Sequence, residues 1–287
     1  MKTLIIGGTG TVGSQVVQRL LEKGYELRVL TTSTEKAAQL PSGVEPYIGS
    51  LEYTDTLEAA FTGVDKVFML NAHTKNEIYQ GLNAIAAAVK ARVSKFVYQS
   101  IHHARGAAYI DHFQSKIFIE EALKKSGLNY VFVCPNNFYQ NDFWFKESIT
   151  KAKLYNQPIG GVGLSRVDVR DIAEVVEKVL ATDRYDRQTI ALAGPEVLTG
   201  ETTAAMLSRF LGYEVTYIGD DLQVFKDAFS QWLPEWMVND WAEMYEHFHN
   251  NGLKATEKEL RQLTEILGRE PRSYQQFLQD HSNVFTS

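Results

Sequence analysis

Short apolar runs alternate with longer segments of helical periodicity through the first half of the chain. Residues 3–6, 26–31, 45–48, 66–70, 95–99 and 130–134 read as strands. Most lack the in-out alternation of a half-exposed strand, as expected where helices cover both faces of a sheet. Between them, 12–22, 76–90 and 112–125 carry apolar residues at helical spacing, with Gly24 and Gly127 as C-terminal stops. This rhythm predicts a doubly wound parallel α/β sheet of Rossmann type with right-handed helical crossovers.

After Pro135 the pattern loosens. An aromatic segment (Phe138, Tyr139, Phe143, Trp144, Phe145) is followed by the turn Gly160-Gly161-Val162-Gly163 and by a helix over 171–180 with Asp171 as its N-cap. From Thr199 onward helices are expected around one strand-like stretch, 214–218. Phe225, Phe229, Trp232 and Trp236 recur at helical spacing, which favours packing in a core. The expected division is a dinucleotide-binding body over 1–155, to which 165–195 returns, and a smaller, mainly helical substrate lid over 196–287.

The 287 residues suit one large α/β domain with an appendage, and the net charge of -6 gives no broad basic face for nucleic acid. The single cysteine, Cys134, lies in an apolar run and reads as a buried, inert thiol. The apolar start of the chain stops at Gly7 without a cleavage site, and no stretch reaches the roughly 18 apolar residues of a membrane span. A cytoplasmic protein acting on a small molecule, without membrane partners, is the expectation.

The chemistry begins in the first turn. Gly7-Gly8-Thr9-Gly10-Thr11-Val12-Gly13 satisfies G-x-G-x-x-G through Gly8, Gly10 and Gly13, and G-x-x-G-x-x-G through Gly7, Gly10 and Gly13. The first glycine makes the tight exit from the strand, Gly10 lets backbone approach a pyrophosphate, and Gly13 lets the helix pack closely. The helix N-terminus offers its N–H groups to the anion. At the end of the second strand, Thr31-Thr32-Ser33-Thr34-Glu35-Lys36 puts no acid at the tip, where NAD would need one. Thr32, Ser33 and Lys36 suit a 2′-phosphate, so NADP is favoured over NAD. Glu35 as a bridge to the ribose, and the hydroxyls as helix caps, remain alternatives. Asn71, Ser100 and Asn136 lie just past strand ends, where open α/β sheets bind ligands.

With these glycines, Phe96-Val97-Tyr98-Gln99-Ser100, His112-Phe113-Gln114-Ser115-Lys116 with Glu120-Glu121, Pro135-Asn136-Asn137-Phe138-Tyr139-Gln140-Asn141, and Val167-Asp168-Val169-Arg170-Asp171-Ile172-Ala173, the sequence resembles the NmrA-like group of atypical short-chain dehydrogenase/reductase proteins. That group includes quinone reductases, triphenylmethane-dye reductases and redox-sensing regulators. The resemblance implies that Lys116 lies near the nicotinamide ribose and that the loop 135–141, with Asn136 and Phe138, borders the nicotinamide and the substrate. Two positions depart from common patterns. The residue four before Lys116 is His112, so the Tyr-x-x-x-Lys proton donor of typical short-chain dehydrogenases is missing, and Thr32 stands where many NmrA-like proteins carry an arginine.

An NAD(P)H-dependent oxidoreductase that reduces quinone-like or conjugated aromatic molecules by hydride transfer fits these residues, because a delocalised acceptor demands little from a buried acid. Lys116 and His112 are the expected catalytic pair, His112 as proton donor. His102 and His103 are similar candidates whose adjacency points them in different directions. His102, Tyr139, Phe143 and Trp144 are expected at a flat, apolar substrate, although the aromatic set would equally form a lid core or a homodimer face. No metal is expected, since the histidines and acids lack ligand spacing. The alternative is a non-catalytic, NADP-binding redox sensor acting through a protein partner. A nucleotide-sugar epimerase or dehydratase is weakened by the missing tyrosine.

Overall fold

The computed structural model describes residues 1–286. Its strands are β1 (Lys2–Ile6), β2 (Glu26–Thr31), β3 (Val44–Ile48), β4 (Lys66–Met69), β5 (Lys95–Gln99), β6 (Tyr130–Pro135), β7 (Leu154–Tyr155), β8 (Thr189–Leu192) and β9 (Thr216–Tyr217). Seven of them form one sheet in the order β3-β2-β1-β4-β5-β6-β8. Pairing is parallel from β3 through to β6. The chain winds outward from β1 to β3 and then restarts at β4 on the other side of β1, which puts the topological switch point between β1 and β4.

The helices are α1 (Thr11–Glu22), α2 (Thr34–Ala38), α3 (Thr54–Phe61), α4 (Glu77–Lys90), α5 (Asp111–Lys125), α6 (Val169–Ala181), α7 (Gly200–Leu211), α8 (Leu222–Phe229), α9 (Glu235–Asn251), α10 (Glu257–Leu267), α11 (Tyr274–Asp280) and α12 (Ser282–Thr286). On one face of the sheet, Leu57, Phe61, Ala84, Ala88, Ile119 and Leu123 of α3, α4 and α5 join Leu4, Val67, Phe96, Tyr98, Phe132 and Cys134 in one core. On the other, α1 packs on α6, and Arg19 pairs with Glu177 at 3.3 Å. Gly24 and Gly127 take left-handed φ values just past α1 and α5, as helix stops should.

Residues Met1–Pro135 and Val169–Ala191 form one compact unit; Asn136–Asp168 and the chain from Leu192 onward form a second. The second is mainly helical, with β7 and β9 as a short parallel pair. Capping boxes, Thr199 with Thr202 and Thr256 with Glu259, start α7 and α10, and Gly212 and Gly268 end them. No described helix is long and apolar enough to cross a membrane.

Two local expectations need correction. Asp171 is not the N-cap of α6: the helix starts at Val169, and Asp171 is a buried acid in its first turn. Cap and first-turn acids answer the same unpaired N–H groups and dipole, so residue type alone does not separate them. Trp232 is not in a core. The helical period breaks between α8 and α9, where Pro234 stands as the cap, and Trp232 is 83% exposed in that turn.

One constraint sits at the switch point. Gly7 has φ +84, and a Cβ there would overlap the Leu70 carbonyl oxygen; a Cβ on Gly13 would overlap the carbonyl oxygen of Gly7. Gly10 differs, since a Cβ there meets only the Gly7 carbonyl oxygen, at 3.5 Å. Gly13→Ala is therefore expected to destabilise the protein by about 3 kcal/mol or more, as backbone must move, while Gly10→Ala stays within about 1 kcal/mol. Urea unfolding of the two variants separates them; equal midpoints would remove the distinction.

Candidate active site

The exits of β1, β2, β4 and β5 carry most of the first unit's predicted site. After β1, the backbone at Gly10 is extended and α1 begins without any side-chain cap on its first turn. Its N–H groups are thus free of the usual side-chain competitor for an anion. Thr9, Gly10 and Thr11 are exposed, whereas Val12 and Gly13 are buried, so Val12 can offer a ligand only its backbone. An uncapped helix start beside open space at Gly10 fits a dinucleotide pyrophosphate.

At the exit of β2, Ser33 caps α2, its hydroxyl accepting from the Lys36 N–H at 3.2 Å. The same hydroxyl donates to Glu35 Oε2 at 2.6 Å, and Thr34 donates to Oε1 at 3.1 Å. These bonds, Ser33's first, hold the Glu35 carboxyl below its ordinary range. Thr32 and Lys36 are exposed. The hydroxyl cluster is thus a helix cap and an anchor for Glu35 at once, next to the lysine expected at a 2′-phosphate.

Beyond β4 the structure gathers a buried polar group. Lys116, on α5, is 6% exposed, which excludes a solvated helix lysine. Its Nζ donates to Asn71 Oδ1 at 3.3 Å, lies 2.7 Å from Glu77 Oε1, and sits 5.4 Å above the Tyr98 ring centroid. Asn71 Nδ2 donates to the Glu77 carbonyl at 3.2 Å, tying the strand exit to the start of α4. Burial, with the Glu77 and Glu120 carboxylates behind it, pushes the Tyr98 phenol well above its ordinary range.

Ser100, past β5, is buried and donates to Glu120 Oε1 at 2.6 Å, while Arg105 pairs with Glu120 Oε2 at 3.2 Å. His102 is buried, with its N–H on the Pro135 carbonyl at 3.0 Å. His103 is exposed, yet the two rings do not diverge: their centroids lie 3.8 Å apart. The left-handed backbone of His103, φ 53, turns its ring back onto its neighbour. His112 is half-buried with its ring 5.0 Å from that of His73, a histidine the sequence does not single out.

The remaining predicted residues belong to the second unit. Asn136 is buried, donating through Nδ2 to the Leu253 carbonyl at 2.7 Å and accepting from the Asn137 N–H at 2.8 Å. Phe138 is half-buried and bridges to Val167. Tyr139 is fully enclosed against Tyr274 and Phe277. Phe143 stacks on Phe277, and Trp144, 60% exposed, stacks on Phe229 and meets Trp241.

Beneath this loop lies an ion pair that periodicity does not reveal. Arg166 and Asp142 are both fully buried; Arg166 Nη2 reaches Asp142 Oδ1 at 2.8 Å and Nη1 reaches Oδ2 at 3.3 Å. Arg166 also donates to Asn137 Oδ1 and to the Phe138 carbonyl, and Tyr155 and Tyr274 donate to Asp142. The Tyr155 and Tyr274 phenols are held well above their ordinary range, first by burial. Glu77, Asp142 and Arg166 escaped sequence reasoning, and Glu120 entered it only as part of a family motif, with no partner assigned. The only signal was a charge inside or beside a segment otherwise read as motif or core.

A model of the NmrA-like family matches residues 1–278. The chain is 30% identical over 287 residues to an NAD(P)H azoreductase of Xenophilus azovorans, covering 98% of each. Among solved structures, it is similar to an NADPH-dependent quinone oxidoreductase of Escherichia coli complexed with NADPH, with TM-score 0.85, 21% identity and coverage of 97% of this chain and 99% of that one. It also resembles a Citrobacter triphenylmethane reductase complexed with NADP(H), with TM-score 0.83, 22% identity and coverage of 96% and 99%.

Asp142→Asn keeps the shape of the buried pair and removes its negative charge. The guanidinium is then uncompensated, and the expected loss is about 3–5 kcal/mol. Chemical denaturation measures it; a loss under about 1 kcal/mol would rank the pair with exposed ones.

Proposed function

The chain belongs to the NmrA-like family, and we propose that it is an NAD(P)H-dependent reductase of conjugated aromatic acceptors such as quinones, azo compounds and arylmethane dyes, favouring NADPH. The observation that carries the reading is Lys116, buried and held between Asn71 and Glu77 one strand from the glycine turn. Such a lysine has a positional task, since burial of an ammonium is costly without one. The 98% coverage of the azoreductase relative supports the reductase class.

NADPH, when bound, supplies a hydride. The protein's own residues do the rest. The backbone of Gly7 to Gly13 holds the pyrophosphate, Thr32, Ser33 and Lys36 receive the 2′-phosphate, and Asn71 and Ser100 border the cofactor. Lys116 orients the nicotinamide ribose. His112, one helical turn before Lys116, donates the proton that a quinone oxygen or azo nitrogen takes up with the hydride. Within the second unit, Phe138, Phe143 and Trp144 offer aromatic surface to a flat acceptor, whereas Tyr139, expected there from the sequence, is fully enclosed and belongs to that unit's core. Trp144, open and stacked on Phe229, suits a flat acceptor.

The test is the loss of NADPH absorbance with a quinone, an azo dye and a cationic triphenylmethane dye. Acceptor-dependent oxidation is expected, with Gly10→Val folded but unable to bind NADPH in calorimetry. Binding with no turnover across the panel would replace the reductase by a dinucleotide sensor. His112→Ala is expected to slow quinone turnover by about a hundredfold and to spare the cationic dye, which accepts hydride alone.

Cofactor choice gives a second expectation. Lys36→Ala should weaken NADPH by roughly ten- to a hundredfold and leave NADH unchanged, and Glu35→Gln should shift preference further toward NADPH. Unaltered affinity ratios in both variants would sink the assignment of the β2 exit.

A further inference from the structure

Glu77 opens α4 and is 1% exposed, so its carboxylate lies among the most deeply buried charges of the first unit. Among the described residues neither of its oxygens accepts a well-oriented hydrogen bond. Its compensation is the Lys116 ammonium, 2.7 Å from Oε1, and its place in the first turn of a helix, where the dipole favours an anion. A buried carboxylate with so few hydrogen bonds is costly for stability alone, and an apolar pair of similar volume would serve packing at least as well.

From this geometry we infer that Glu77 is a positioning residue for the nicotinamide end of the site, acting through Lys116; this rests on the reading of Lys116 as the ligand of the nicotinamide ribose. A lysine has a flexible four-carbon stem and a point charge, so its ammonium is placed only by what surrounds it. Here three elements fix it from three directions: Glu77 from α4, Asn71 from the exit of β4 and the Tyr98 ring from β5. Asn71 binds the Glu77 carbonyl as well as the ammonium, so the strand exit, the helix start and the lysine form one rigid frame. Of the three contacts only Glu77 brings a formal charge. Without it, Asn71 and the ring leave the ammonium a weaker and less directional hold, and a group that must meet a ribose hydroxyl loses its register.

Calorimetry on the full chain tests this with two probes, NADP+ and adenosine 2′,5′-bisphosphate, which lacks the nicotinamide ribose. Glu77→Gln is expected to weaken NADP+ about tenfold and to leave the bisphosphate within about twofold. Glu77→Asp is expected to recover part of the loss. Equal weakening of both probes marks a structural pair and overturns the proposal; so does weakening of neither. Should Glu77→Gln fail to fold, Glu77→Asp carries the test: NADP+ about threefold weaker with the bisphosphate unchanged supports positioning, and unchanged NADP+ overturns it. Lys116→Met separates the two readings. If it loses NADP+ affinity while the Glu77 variants do not, Lys116 keeps its role and Glu77 does not; if it binds NADP+ as wild type does, both fall.

Discussion

The first unit depends on a contact between backbones. Gly7 lies against the Leu70 carbonyl and Gly13 against the Gly7 carbonyl, so β1, α1 and the exit of β4 are locked together with no side chain between them. The lock sits where the strand order reverses, and it leaves the space beside Gly10 open. The helix that starts there has Gly10 as its N-cap and no side-chain cap bond, so its first N–H groups turn to another partner. The close approach therefore packs the turn and at the same time leaves the start of α1 without a side-chain cap. It also fixes the position of Leu70, and through it Asn71, the residue on which the buried lysine depends.

Each unit also holds a buried ion pair, Lys116 with Glu77 in the first and Arg166 with Asp142 in the second, and the two differ in how fully the cation is bonded. Every nitrogen of the Arg166 guanidinium has a partner, among Asn137, Asp142, Tyr155 and the carbonyls of Phe138 and Tyr139. An arginine so saturated has nothing to offer a ligand, and its task is to set the course of the loop that follows β6. Lys116 donates one hydrogen bond, to Asn71, and faces one carboxylate. The Tyr98 ring closes a third direction, so this cation is held by one amide oxygen, one carboxylate and a ring face, where Arg166 meets a full set of oxygens.

How much of this was legible in the sequence follows from what each feature depends on. The sheet and the glycine turn were, because they rest on local periodicity and on residues three apart. β8 was not: Thr189–Leu192 is four residues with no period of its own, and it becomes a strand by joining the edge of β6. The break at Trp232 was hidden because a helical spacing of aromatics continues across Pro234. Lys116 was named through a resemblance, but its partner Glu77 is thirty-nine residues away and reads as the first acid of an ordinary helix. Contacts of that range leave no mark on hydrophobic pattern. The same holds for Arg166 and Asp142, whose meeting is a product of tertiary packing.

The missing Tyr-x-x-x-Lys tyrosine bears on the chemistry, because a phenol does lie beside Lys116. The Tyr98 ring is 5.4 Å from the ammonium, and its hydroxyl reaches toward Asn71 Oδ1 at 3.5 Å. In the typical arrangement a lysine lowers the phenol's pKa so that it can protonate an alkoxide. Here burial, with the carboxylates of Glu77 and Glu120 nearby, drives the phenol the other way. Tyr98 thus offers its ring face to the cation, and its phenol keeps its proton more firmly than a free tyrosine does. The phenol beside this lysine therefore differs from the tyrosine of the typical arrangement in its electrostatic surroundings as well as in its place along the chain. One placement, Glu77 at the start of α4, therefore has two electrostatic consequences: it pairs with the lysine and it helps to hold the neighbouring phenol protonated.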